Sequence, residues 1–91
     1  MNIFDIVMNN DFSGIRNNIW DEDSLNMRGD NGMTPLMLAA RSGFDQVVTA
    51  LKEKGADIHI VDNSGKRAVD YAALYGHGLI IVLLIEGGCG A

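Results

Sequence analysis

The chain predicts an all-α repeat solenoid: paired antiparallel helices joined by β-turn or hairpin loops. Three observations point there. First, the wording returns at an interval of 33 residues, with Gly32, Leu36, Ala39, Ala40 and Gly43 answered by Gly65, Val69, Ala72, Ala73 and Gly76. Val47, Val48, Leu51 and Gly55 are likewise answered by Ile80, Ile81, Leu84 and Gly88, and Ile3, Ile6, Val7 and Ile15 fall one interval before Leu36, Ala39, Ala40 and Val48. Second, the repeated unit carries helix start and stop signals. Third, side-chain polarity changes from the first unit to the last. A repeat of this length means that one unit cannot bury its apolar side alone and must lie against neighbours. The 91 residues divide into a capping repeat over 1–29, a full repeat over 30–61 and a C-terminal repeat over 62–91.

In the first unit Asp5 and Asn18 stand where the middle unit has Leu38 and Leu51, so a face with no upstream neighbour is polar, as an N-terminal cap requires. Trp20 divides between closing a thin core and binding, with the core the simpler role. The run Asp21-Glu22-Asp23 lacks the alternating ligands and central glycine of an EF-hand loop and is expected to be a solvated linker. The middle unit has Thr34 as N-cap, Pro35 as the first helical residue and Gly43 as the left-handed stop. A second helix opens at Asp45, puts Val47, Val48 and Leu51 on one face and closes at Gly55. Residues 56–66 contain Asp62-Asn63-Ser64-Gly65 and are expected to form an extended turn or hairpin. The third unit has Arg67 in place of the threonine cap, a loss of about 0.5–2 kcal/mol that Asp70 in the first turn partly offsets. Its last helix replaces Gln46, Thr49, Ala50 and Lys52 by Leu79, Val82, Leu83 and Ile85, and a helix apolar all round wants cover on every side.

The stretch "GMTPLMLAARSGF", followed by paired valines and "KGAD", resembles the ankyrin repeat, whose signature includes Thr-Pro-Leu-His, an Ala-Ala pair, Gly-His and Gly-Ala-Asp. The resemblance covers the whole chain. Met37 departs from the usual histidine, and Arg67-Ala68-Val69-Asp70 from Thr-Pro-Leu-His. The resemblance implies that turn tips and inner helices form a concave recognition face. Mapped onto this chain, that face holds Asp30, Asn31, Met33, Arg41 and Ser42, then Asn63, Ser64, Lys66, Leu74 and Tyr75, with Met8 and Asn9 extending it into the cap. Arg41 and Tyr75 are of the residue types that dominate binding energy when buried by a partner and are the expected anchors. Met33 and Met37 divide between core filling and an adaptable contact surface.

Composition narrows the function classes. The net charge is −5, and residues 1–30 carry most of it, with six acidic side chains against Arg16 and Arg28. No basic cluster exists to neutralise phosphates, so nucleic acid is not an expected partner. The longest apolar run, Leu79 to Ile85, falls far short of the roughly 20 residues that span a bilayer. The single cysteine, Cys89, allows neither an internal disulfide nor a cysteine metal site, and the first ten residues lack a basic n-region, so a cytoplasmic location is expected. His59 and His77 have no partner at metal-ligand spacing, and Ser13, Ser24, Ser42 and Ser64 sit in no nucleophile elbow. The Gly76-His77-Gly78 stretch follows a helix rather than a strand, unlike a phosphate loop. No metal, cofactor or catalytic residue is therefore expected.

The expectation is a non-catalytic module that binds a protein partner through Met33, Arg41, Ser42, Asn63, Lys66, Leu74 and Tyr75, as an inhibitor, an immunity or antitoxin protein, or a scaffold. The alternative is structural: a segment of a longer solenoid, or a subunit that self-associates through Leu79, Val82, Leu83 and Ile85. Those four side chains would present on the order of 300–400 Å² of apolar surface. A symmetric homodimer built on them would bring two copies of Cys89 together.

Overall fold

The computed structural model describes residues 3–89, with side chains through residue 85. Seven α-helices follow one another: α1 (Ile3–Met8), α2 (Phe12–Arg16), α3 (Glu22–Leu25), α4 (Pro35–Ser42), α5 (Asp45–Glu53), α6 (Ala68–Leu74) and α7 (Gly78–Cys89). Helices α1, α4 and α6 stack side by side as an inner layer, and α2, α5 and α7 as an outer one. Each inner helix also packs on the outer helix that follows it in its own unit. Between the layers lie Ile3, Val7, Ile15, Leu36, Ala39, Ala40, Val47, Val48, Leu51, Ala72, Ile80 and Leu84, all fully buried. The alanines let inner and outer helices approach closely while the branched residues fill the space between units.

The local signals work as the spacing predicts. The Thr34 hydroxyl accepts from the Met37 N–H at 3.3 Å, Pro35 takes the first helical position, and Gly43 closes α4 at φ 80°. One backbone bond then closes each inner helix at equivalent positions: Asp11 N–H to Ile6 O at 3.1 Å, Phe44 N–H to Ala39 O at 3.0 Å, and His77 N–H to Ala72 O at 2.8 Å. The residue ahead of each donor is left-handed: Asn10, Gly43 and Gly76, at φ 55°, 80° and 75°. Asparagine tolerates this region better than most side chains, so the first unit keeps the same turn without glycine.

Residues 56–66 form turns, and the described residues contain no strand. Of the extended turn or hairpin expected there, the turn forms, and each tip satisfies its own backbone. Gly29 N–H donates to Met33 O at 2.8 Å and, one interval later, Asp62 N–H to Lys66 O at 2.9 Å. A backbone bond, Asn63 N–H to Asn31 O at 2.9 Å, joins the two tips, and the Asn31 side-chain amide adds a bond to Ser64 Oγ at 3.3 Å.

The first unit departs from expectation. Its outer helix α2 stops at Arg16, so Asn18 lies beyond it, and the Asn18 amide donates to Gly14 O at 2.6 Å. The acidic run is not a free linker: Asp21 caps α3, accepting from the Ser24 N–H at 2.8 Å, and Glu22 and Asp23 occupy its first turn. Negative charge suits a helix N-terminus, and the short helix turns Leu25 into the core. The Trp20 indole donates to Ile15 O at 2.9 Å and packs, half-buried, on the core, which gives it the closing role. In the third unit the Asp70 carboxylate accepts from the N-cap Arg67 N–H at 2.8 Å, the reciprocal half of a capping box, and the Asp70 N–H that a threonine hydroxyl would take donates to the Arg67 carbonyl at 3.0 Å. The Cys89 side chain lies outside the described residues.

Candidate protein-binding surface

Two contacts position the inner helices, one between units and one within the third unit. The His77 ring packs against Gly43, and its Nε2 lies 3.0 Å from the Arg41 carbonyl. A carbonyl only accepts, so Nε2 carries the proton. The third unit thereby holds the last turn of α4, from which the Arg41 side chain projects. His77 has the structural role its motif implied. His59 is exposed, and its backbone N–H donates to Asp57 Oδ1 at 2.8 Å.

The second contact was not legible as a site. Asp62 is buried at the turn before α6, where it accepts from the Tyr71 hydroxyl, from the Ser64 N–H at 2.8 Å and from the Lys66 N–H at 3.0 Å. The Tyr71 hydroxyl, then these backbone donors, hold the Asp62 carboxyl below the usual carboxylate range, and the same bond pushes the Tyr71 phenol up. A depressed carboxylate contributes stability above its unfolded pKa and loses it as pH falls through the folded value. The raised phenol contributes below its unfolded pKa and loses it as pH rises through the folded one. Tyr71→Phe is therefore expected to destabilise the domain most at neutral pH, with the difference from the parent chain shrinking as acid protonates Asp62. Urea unfolding from pH 7 to pH 3 measures this, and a mutant deficit that stays constant across the series would contradict it.

Above these contacts the inner helices and turn tips enclose a groove of about 760 Å³. Of the residues expected to bind, Arg41, Lys66, Leu74 and Tyr75 line it, together with Met8, Asp30 and Asn31. Leu74, Tyr75 and Met8 are 63%, 53% and 54% exposed. Met33 needs correction: it reaches the groove floor but is only 6% exposed, because the stacked inner helices enclose it, and it belongs to the core. Met37, 1% exposed, is core outright. Ser42 and Asn63 are exposed but do not line the groove. Asn63 instead takes part in the tip contacts, its Oδ1 3.5 Å from Arg28 Nη2, and Ser64 Oγ lies 3.3 Å from Asn31 Nδ2. Phe4, Leu38 and Tyr71 also line the groove and were missed. Among the described residues the Arg41 guanidinium makes no ion pair.

The last helix presents a different surface. Leu79, Val82 and Ile85 are exposed, as expected. Leu83 is not free: it packs on the core from the position of buried Ala50, and the Lys52 ammonium donates to its carbonyl. The side of the third unit facing away from the second is also less covered. Ala40 and Val48 are fully buried, whereas their equivalents Ala73 and Ile81 are exposed and half-buried. Among the described residues no three His, Cys, Asp or Glu side chains gather as a metal site, and no helix is long and apolar enough to cross a membrane.

Comparison with known proteins gives a family model described as ankyrin repeats, in three copies, over residues 3–91. The chain is 45% identical over 60 residues to the human NAD-capped RNA hydrolase NUDT12, across 66% of this chain and 13% of that protein. It is 38% identical over 74 residues to human neurogenic locus notch homolog protein 2, across 81% of this chain and 3% of that protein. With human Rabankyrin-5 the identity is 40% over 56 residues, 62% of this chain and 5% of that protein. The chain thus spans only a small part of the curated relatives it matches, and the match to the hydrolase covers its ankyrin region alone.

Proposed function

The chain belongs to the ankyrin-repeat family, and from that premise we propose that it is a non-catalytic module whose concave groove recognises one protein partner, as an inhibitor, an immunity or antitoxin protein, or a scaffold. Ankyrin repeats generally mediate protein–protein interaction. The observation that carries the proposal is the grouping of exposed Met8, Leu74 and Tyr75 in a single groove around Arg41, whose guanidinium has no ion pair among the described residues. Exposed apolar side chains scattered singly are ordinary, but a concave group beside an arginine has the composition of a binding hot spot. A cytoplasmic location is part of the same proposal and rests on the single cysteine.

The test compares three immobilised proteins as baits by quantitative mass spectrometry, followed by titration of what the parent chain retains. Arg41→Ala with Tyr75→Ala is expected to weaken the partner by at least ~2 kcal/mol, about 30-fold, with the fold intact. Gln46→Ala with Thr49→Ala, on the outer layer, is expected to have little effect. Greater damage from the outer pair would place the ligand on the other face and refute the proposal.

A second reading is favoured by α7. Exposed Leu79, Val82 and Ile85 invite a second copy of the chain, and a following repeat unit would cover Ala73 and Ile81. Magnitude ranks this reading second. A stable interface removes about 1,200–2,000 Å² in total, and with Leu83 turned inward three side chains supply only a fraction of that. Sedimentation from low to high micromolar concentration should accordingly show at most weak association, abolished by Val82→Lys with Ile85→Glu. A constant monomer mass for the parent chain removes self-association as a reading.

A further inference from the structure

Resting on the concave-face reading, we propose that the groove takes an extended partner segment with a carboxylate at its centre and a bulky apolar side chain about three residues to either side. The argument starts from register. Met8, Arg41 and Leu74 are separated by the repeat interval of 33 residues and so occupy the same position on α1, α4 and α6. All three line the groove. Read across the inner layer, the wall runs apolar, cationic, apolar, with Phe4 beside the first step and Tyr75 beside the last.

The cation sets the chemistry. Arg41 is half-buried, and neither it nor Lys66, the other base lining the groove, makes an ion pair among the described residues; Lys66 sits in the turn of Asp62, to which its backbone N–H donates, whereas Arg41 stands in the middle of the row. A partner that buries Leu74 and Tyr75 also strips water from the guanidinium between them and Met8. Leaving that charge dry and unpaired would cancel the apolar gain, so a fitting partner must supply an acceptor. A carboxylate matches the planar fork of arginine with two hydrogen bonds. A phosphate dianion fits less well, because Asp30 lines the same groove on a chain whose net charge is −5.

Spacing sets the conformation. Packed helices lie about 8–10 Å apart, and an extended chain rises about 3.3 Å per residue, so neighbouring subsites are about three residues apart. The motif is apolar-x-x-(Asp/Glu)-x-x-apolar. Successive turns of a helix are only about 5.4 Å apart and fall out of step with subsites about 8–10 Å apart, whereas every third residue of an extended segment meets them.

The test is selection of a displayed library of random twelve-residue peptides on the full chain, with counter-selection on Arg41→Ala with Tyr75→Ala. Survivors are expected to carry the motif and to bind Arg41→Glu at least tenfold more weakly. Replacing the central acid of a survivor by lysine should restore binding to Arg41→Glu. Survivors whose binding depends on Tyr75 but not on Arg41, or whose central residue is basic, overturn this proposal and leave the concave reading standing. In a parallel selection without the counter-selection step, a dominant set of peptides that bind the parent chain and both groove variants equally, but lose binding on Gln46→Ala with Thr49→Ala, overturns the concave reading itself. An empty selection overturns the segment proposal, and the whole-protein capture described above still tests the face.

Discussion

Gly43→Ala is expected to destabilise the domain by about 2–4 kcal/mol, against about 1–2 kcal/mol for Gly76→Ala at the equivalent position of the next unit. Both glycines are left-handed, at φ 80° and 75°, and an alanine forced there loses about 1–2 kcal/mol on backbone grounds alone. The surroundings differ. A Cβ on Gly43 would lie 2.8 Å from His77 Cε1, whereas one on Gly76 meets nothing within 4 Å. The His77 ring must therefore move away in the first variant, giving up packing and its 3.0 Å contact with the Arg41 carbonyl, a bond worth about 0.5–1.5 kcal/mol. Chemical denaturation of the two variants measures the difference, and equal losses would mean that the ring yields freely. The same displacement loosens the turn that carries Arg41, so Gly43→Ala should also weaken partner binding while Gly76→Ala should not.

Leu51→Ala is expected to lower stability by about 3–5 kcal/mol, the range for a leucine removed from a site that cannot collapse. Leu51 is fully buried on α5, which packs against α2, α4 and α7, so neighbours on three sides hold the cavity open. Domains of this size have about 5–14 kcal/mol in all, and the variant should be partly unfolded well below the parent chain's midpoint. Leu84, one interval later on α7, is held by α5 and α6 among the described residues, and its truncation in this chain should lose about 2–3 kcal/mol because fewer neighbours hold the cavity open. Urea midpoints for both variants decide the matter, with a larger loss at Leu84 the outcome that contradicts this account.

Much of the architecture was legible because it depends on rules acting within a turn or two of the chain. Thr34 caps and Pro35 starts α4, Gly43 and Gly76 end inner helices, and the interval of 33 residues forces neighbouring units to stack. The interval put Met8, Arg41 and Leu74 in one row, and it was the resemblance to ankyrin repeats that marked this row, with the turn tips, as most of the groove wall. Properties set by what lies alongside could not. Met33 and Leu83 look equally available in the chain, and only the stacking of helices from other units encloses the one and half-buries the other. Asp21, Glu22 and Asp23 looked like a solvated run until the need to bring Leu25 into the core made them the start of a helix. The bond from Tyr71 to Asp62 and the contact of His77 with the Arg41 carbonyl join residues whose partners no periodicity names. Backbone grammar is local, whereas burial and the pairing of buried polar groups follow from the whole stack, because a side chain loses its water only when a distant part of the chain arrives to replace it.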